Sequence, residues 1–265
     1  MVVDTYKKLM KTVSSLVLFI SFVFSQVIYA QTSSVVVLFG DSITAGFNSG
    51  RSRDVGNGDA GISGPTQFLS DMLNNPNQPR PSTVVNWGIG GSSSTSGVQR
   101  MSGNLAATVR DHQADQYFVM IMYGTNDLGR GIGAGTTAFN NSIMVSLARN
   151  AGYLPVVGTV TPRSDRVDSA LAASIASAAT SNGAQVVDQF AFFNARPLAQ
   201  NFELELSFIT GDPIRLHPND DGYLRLVQNW FDGALQDLIP VFVAPAPPAP
   251  PPLIVAPLLE LLLEE

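Results

Sequence analysis

Ser34-Val35-Val36-Val37-Leu38-Phe39, followed at once by Gly40-Asp41-Ser42-Ile43-Thr44-Ala45-Gly46, decides how the chain is read. After Ser34 the run is apolar without alternation. Strands buried on both faces have that pattern, and parallel sheets are buried on both faces. The polar turn behind it then lies beyond the carboxyl end of the strand, where open α/β sheets gather their chemistry.

Four further runs resemble the first: Thr83–Asn86, Phe118–Tyr123, Leu154–Val160 and Gln185–Asp188. Helix-length stretches separate or follow them: Pro65–Leu73, Gly97–Arg110, Thr136–Asn150, Asp165–Ser181 and Asp220–Leu238. Pro65 suits a first helical turn, and Asn182-Gly183 suits a helix stop. Strands alternating with helices predict right-handed crossovers and a doubly wound, three-layer α/β sandwich around a five-stranded parallel sheet.

This domain is expected over residues 31–240. Ahead of it, residues 1–30 read as a secretory signal. Lys7, Lys8 and Lys11 precede the apolar run Leu16–Phe24, and Ile28-Tyr29-Ala30 ends on a small residue. The competing reading is an uncleaved anchor, since Val13–Ala30 approaches the ~20 residues that span a bilayer. Ser21, Ser25 and Gln26 interrupt the run and favour cleavage. Residues 241–265 read as a tail. Ala244–Pro252 is proline-rich and extended, and the apolar Leu253–Glu265 carries Glu260 and is too short to span a bilayer.

Composition narrows the function. The chain has 265 residues, of which 45% are hydrophobic and 14% charged, the balance of a packed globular protein. The net charge of −6, without basic blocks, argues against a nucleic-acid partner, because phosphate binding needs clustered Lys and Arg. The absence of cysteine excludes a disulfide scaffold, thiolate metal sites and a cysteine nucleophile.

The residues behind the strands carry the chemistry. Gly40-Asp41-Ser42 follows the first, Asn86-Trp87-Gly88-Ile89-Gly90-Gly91 the second, and Gly124-Thr125-Asn126-Asp127 the third, while Leu216-His217-Pro218 stands near the C-terminus. A serine hydroxyl needs a base to become a nucleophile. Of the two histidines, His112 sits in a polar helix end and reads as a surface residue. His217, before Pro218 and a helix start, is expected on a loop with its ring toward Ser42. Acyl transfer also needs preorganised donors for the oxyanion. The Gly91 N–H, the Asn126 side-chain amide and the Ser42 N–H are the candidates.

These four blocks, in this order across most of Ser34–Leu238, resemble those of the GDSL/SGNH hydrolases. The resemblance implies a flavodoxin-like sandwich and ester hydrolysis through an acyl-serine, with no metal or organic cofactor. It implies Ser42 as nucleophile, Gly91 and Asn126 in the oxyanion hole, and His217 as base. Gly91 is preferred to Gly90 because it falls five residues after Asn86, as in the family.

One position departs from the family. Its aspartate usually stands three residues before the histidine, and here that position is Ile214. The expectation is that two extra residues bulge and let Asp212 reach the ring. The alternatives are a Ser-His dyad, with a backbone carbonyl or another acid holding the ring, and a surface pair of Asp212 with Arg215.

The long loop Gly46–Gly64 is expected to form a substrate-facing lip. Its Asp54, Asn57 and Asp59 miss the spacing of a calcium loop. The glycine runs lack the flanking Lys-Ser/Thr of a nucleotide site. The expected protein is a secreted or periplasmic serine esterase acting on short acyl esters, with acetyl on a carbohydrate as the expected case. The alternatives are a lipid acyl hydrolase and a non-catalytic binding module of the same fold. The expected partner is a small-molecule or carbohydrate ester, with membrane contact only through an uncleaved leader.

Overall fold

In the computed structural model, which describes residues 33–47, 64–166, 168–207 and 210–242, the opening run becomes strand β1, Ser34–Gly40. It pairs in parallel with β2, Ser82–Asn86, on one side and β3, Gln116–Met122, on the other. β4, Leu154–Gly158, and β5, Gln185–Val187, complete a five-stranded parallel sheet of order β2-β1-β3-β4-β5. The leader, most of the Gly46–Gly64 loop with Asp54, Asn57 and Asp59, and the C-terminal tail lie outside the described residues.

The unbroken apolar runs are explained by two cores. Val35, Val37 and Phe39 of β1 face Met101 and Leu105 of α2 (Ser94–Asp111), Met144 of α3 (Ala134–Asn150) and Ile175 of α4 (Ser169–Ser181). Val36 and Leu38 face the other way. Their core holds Leu69 and Leu73 of α1 (Gly64–Leu73), and Leu226, Val227 and Trp230 of a later helix at Asp220–Trp230. Every residue of β1 is buried, so each layer of the sandwich is held by apolar area removed from water.

The long segments fall close to expectation, with shifts at their ends. α2 begins three residues early because the side chain of Ser93 caps it, accepting from Ser96 N. The last expected helix runs over its expected span, as α-helix to Trp230, a single π turn at Phe231–Leu235 and a last turn at Gln236–Leu238. Two short helices, α5 (Gln189–Asn194) and α6 (Leu198–Asn201), were not expected. Neither was the antiparallel pair of β6 (Phe202–Leu206) and β7 (Pro213–Pro218). The helix Asp220–Trp230, here α7, follows β7 directly.

Register sets the working edge. Leu38 is level with Asn86, and Gly40 with Met122, so the turns after β1, β2 and β3 leave the sheet side by side. The β6–β7 pair supplies the fourth polar block.

Candidate active site

The turn after β1 is held from within and from β2. Ala45 N donates to Asp41 O at 2.9 Å and Phe47 N to Ser42 O at 3.0 Å, which winds residues 41–47 into a tight turn. Asp41 Oδ1 accepts from Ile43 N at 3.0 Å. Asn86 Nδ2 donates to Thr44 O at 2.8 Å, fastening the end of β2 to this turn. Gly88 allows the approach, since a Cβ there would lie 2.3 Å from Ala45 N. Ser42 thus stands on a turn that neighbouring strands fix in place.

His217 lies within β7, not on a loop as expected, and its Nε2 meets Ser42 Oγ at 2.8 Å. Both groups are buried, at 4% and 7% exposure, which strengthens the hydrogen bond by keeping water from competing. The ring of Phe47 packs against the imidazole with centroids 4.5 Å apart. Tyr223 Oη donates to Phe47 O at 2.7 Å and so ties α7 to the Ser42 turn.

The acid is Glu205. Its Oε1 and Oε2 lie 2.8 and 2.9 Å from His217 Nδ1, and Oε1 also accepts from His217 N at 2.9 Å. Asp212 is not brought to the ring. It sits exposed in the turn between β6 and β7, where its carbonyl accepts from Ser207 N at 2.8 Å. Its carboxylate takes no hydrogen bond or ion pair among the described residues. Nor does it pair with Arg215, whose Nη1 donates to Phe202 O at 2.6 Å. The bulge expectation is therefore corrected, and another acid holds the ring.

Cross-strand geometry gives the reason. Glu205 is paired directly with Ile214 across the β6–β7 ladder. Directly opposite residues share a face of the pair. The carboxylate that the family carries at the position of Ile214 comes here from its partner on the next strand. Glutamate's extra methylene helps it reach along the strand to residue 217. The ladder shifts register between Phe202 and Leu204, just before Glu205. A signal was present: Phe202-Glu203-Leu204-Glu205-Leu206 alternates apolar and acidic residues, the period of a strand.

Of the oxyanion candidates, Gly91 and Asn126 line a cavity of about 430 Å³ with Thr125, Glu205, Ile214 and Leu216. Asn126 Nδ2 donates one hydrogen to Ser92 O at 3.0 Å, which orients the amide and leaves its second N–H. Gly91 adopts φ = 69°, a left-handed conformation that favours glycine. Among the described residues, the N–H groups of Gly91 and Ser42 have no acceptor within the chain. Asp127 staples the loop beneath. It accepts from Ser94 N at 2.9 Å, from Ser94 Oγ, and from Thr137 Oγ1 at 2.7 Å, joining β3 to α2 and α3.

Asp41 is a buried acid beside this machinery. Burial, with the charge of Asp127 adding to it, pushes its carboxyl up to about 7 against the opposing pull of the Ile43 N–H, Arg163 and Arg100. His112 is remote from these groups; it ends α2, where its carbonyl accepts from Tyr117 Oη at 2.9 Å.

The profile of the GDSL-like lipase/acylhydrolase family matches residues 38–225, which spans every group just described. The chain belongs to that family. Solved structures of similar fold include a lipase/acylhydrolase from Enterococcus faecalis, 19% identical, with a TM-score of 0.60 over 80% of this chain and 100% of that one. An acetylxylan esterase from Geobacillus stearothermophilus is 20% identical, with a TM-score of 0.57 over 77% of this chain and 96% of that one. A lipolytic G-D-S-L family protein from Veillonella parvula is 19% identical, with a TM-score of 0.55 over 77% and 99%. At these identities the likeness speaks for the α/β fold. No curated protein matches the chain significantly.

Proposed function

We propose that this GDSL-family chain is a serine ester hydrolase that works through an acyl-serine. The observation that carries the reading is the continuous bond path Ser42 Oγ, His217 Nε2, His217 Nδ1, Glu205. Ser42 Oγ attacks the ester carbonyl while His217 Nε2 takes its proton. Glu205 holds the ring in the tautomer with its proton on Nδ1 and stabilises the imidazolium. The carbonyl oxygen becomes an oxyanion and receives hydrogen bonds from Ser42 N, Gly91 N and the second N–H of Asn126. Collapse breaks the bond to the alcohol, which leaves with the proton from His217. Water, deprotonated by the same nitrogen, then attacks the acyl-serine and frees the acid and Ser42.

The substrate class proposed is a short acyl ester, acetyl above all, on a carbohydrate. The polar loops around Ser42 favour it, and so does the acetylxylan esterase among the similar structures. The lysine-led apolar segment at the N-terminus supports a secreted or periplasmic setting, where such polymers are met. The test is a series of 4-nitrophenyl esters of rising acyl length beside acetylated xylan. Fastest turnover at two to four carbons, with acetate released from xylan, is expected. A maximum at eight carbons or more would replace the reading with lipid acyl hydrolysis.

A further inference from the structure

We infer that the alcohol part of the substrate carries a carboxylate and that Arg130 receives it. This rests on the esterase reading above and adds the charge of the substrate to it.

Arg130 and Arg163 both line the cavity that holds Gly91 and Asn126. They differ in how far they are committed. Arg163 is spent on its surroundings: Nε and Nη2 bind the two oxygens of Asp165 at 2.8 and 2.6 Å, and Nη1 donates to Thr125 O at 3.2 Å. Arg130 makes one bond, from Nη2 to Gly91 O at 2.7 Å. Among the described residues it has no carboxylate partner. An arginine carries five N–H donors in a planar fork, so four of these remain.

The surroundings make this cation available for a ligand. Its backbone is fixed four residues beyond Asn126, with Arg130 N donating to Asp127 O at 2.9 Å. The bond to Gly91 O holds the head of the side chain beside the donors that bind the ester. A fork held in place loses less entropy on binding than a lysine would. Glu205 is the acid in the cavity wall, and both of its oxygens are engaged by His217. Among the described residues, the site therefore offers a positioned guanidinium without an internal anion to satisfy it. Its best complement is a planar carboxylate, which can bind the fork in a bidentate manner.

A short acyl group leaves no room for that charge on the acid side, so it belongs to the alcohol. An acetylated uronate has this chemistry, with the ester on a sugar hydroxyl and the carboxylate on the same ring or its neighbour.

The experiment compares one pair of substrates in two proteins. The methyl glycoside of O-acetylated galacturonic acid is offered as the free carboxylate and as its methyl ester, and released acetate is measured. The wild type should prefer the carboxylate by about tenfold or more in kcat/KM, the size of a charge-assisted hydrogen bond. The preference should shrink as ionic strength rises. In Arg130→Gln the ratio should fall to about 1, and Arg130→Lys should retain part of it. A wild-type ratio near 1, with both compounds cleaved, overturns the inference and leaves the esterase reading standing. A ratio that persists in Arg130→Gln while both rates fall together also overturns it, because Arg130 would then only prop the Gly91 turn. Failure of the wild type to cleave either compound, or any 4-nitrophenyl ester, removes both readings.

Discussion

Ser42, Gly91 and Asn126 hang from the carboxyl ends of three parallel strands, whereas His217 and Glu205 come from the separate two-stranded ladder. On the sheet, position follows from strand order and register alone: three adjacent strands end within two residues of one another, and whatever follows each of them meets. In the ladder, position follows from pairing. Glu205 and His217 are 12 residues apart in sequence and touch because Glu205 faces Ile214 across the ladder. Side-chain placement on a buried sheet edge is thus readable along the chain, while placement on an antiparallel pair is readable only between strands.

The comparison breaks first at its shared point, where sheet and ladder meet in the bond between Ser42 and His217. Ser42→Ala should lower kcat on 4-nitrophenyl acetate by about 10⁶, and His217→Ala by a similar factor, since members of such a unit fail together. A serine-directed organophosphate should label Ser42 in the wild type and nothing in the Ala variant, as intact mass will report. Retained turnover in purified Ser42→Ala would remove the sheet half of the account.

A smaller effect belongs to the proposed oxyanion donors. Asn126→Ala should lower kcat by about 10²–10³ with little change in KM, because the lost bond forms in the transition state. A change confined to KM would make Asn126 a binding group.

The ladder offers a constructive test. If facing positions are interchangeable, a carboxylate placed at Ile214 should replace one removed from Glu205. Glu205→Gln with Ile214→Asp should recover at least about tenfold in kcat over Glu205→Gln alone. No recovery, with the double variant folded by circular dichroism, would mean that position 205 has a role the facing residue does not share.

How much was legible divides along the same line. The five strands and the blocks behind them could be read because apolar runs such as Val35–Phe39 leave few alternatives for a parallel strand. Ser42, Gly91, Asn126 and His217 were named from those blocks, and the structure gathers them at one edge. Asp212 is the acid just upstream of His217 in sequence, a one-dimensional nearness that strand pairing overrides. β6 is marked in the sequence only by the short alternation of Phe202–Leu206, and in the fold Leu204 and Leu206 are exposed, so that alternation does not trace a buried face. Pro213 at the start of β7 obscured its partner as well. Arg130, an exposed arginine in a glycine-rich turn, gives no sign in the sequence of the cavity it lines.

The smallest effect concerns the sheet side and reads stability. The Asp41 carboxyl lies above its ordinary range in the fold, so the folded state holds that proton more tightly than the unfolded chain does. Stability from this group is therefore present at low pH, falls as pH rises from about 4, and is fully lost above about 7. Asp41→Asn keeps an acceptor for Ile43 N and removes the charge. Relative to wild type its Tm should move up by a few degrees between pH 5 and pH 8. A difference that stays constant over that interval would show that Asp41 remains ionised throughout.

The central claim is that Glu205, reached across the ladder, orients His217, and that Asp212 does not. It is tested most directly by kcat on 4-nitrophenyl acetate for Glu205→Gln beside Asp212→Asn, with circular dichroism as a check of fold. The account predicts a loss of about 10³–10⁴ for Glu205→Gln, since an amide facing Nδ1 favours the wrong tautomer, and a rate within about twofold of wild type for Asp212→Asn. A near-silent Glu205→Gln with a large loss in Asp212→Asn would contradict it.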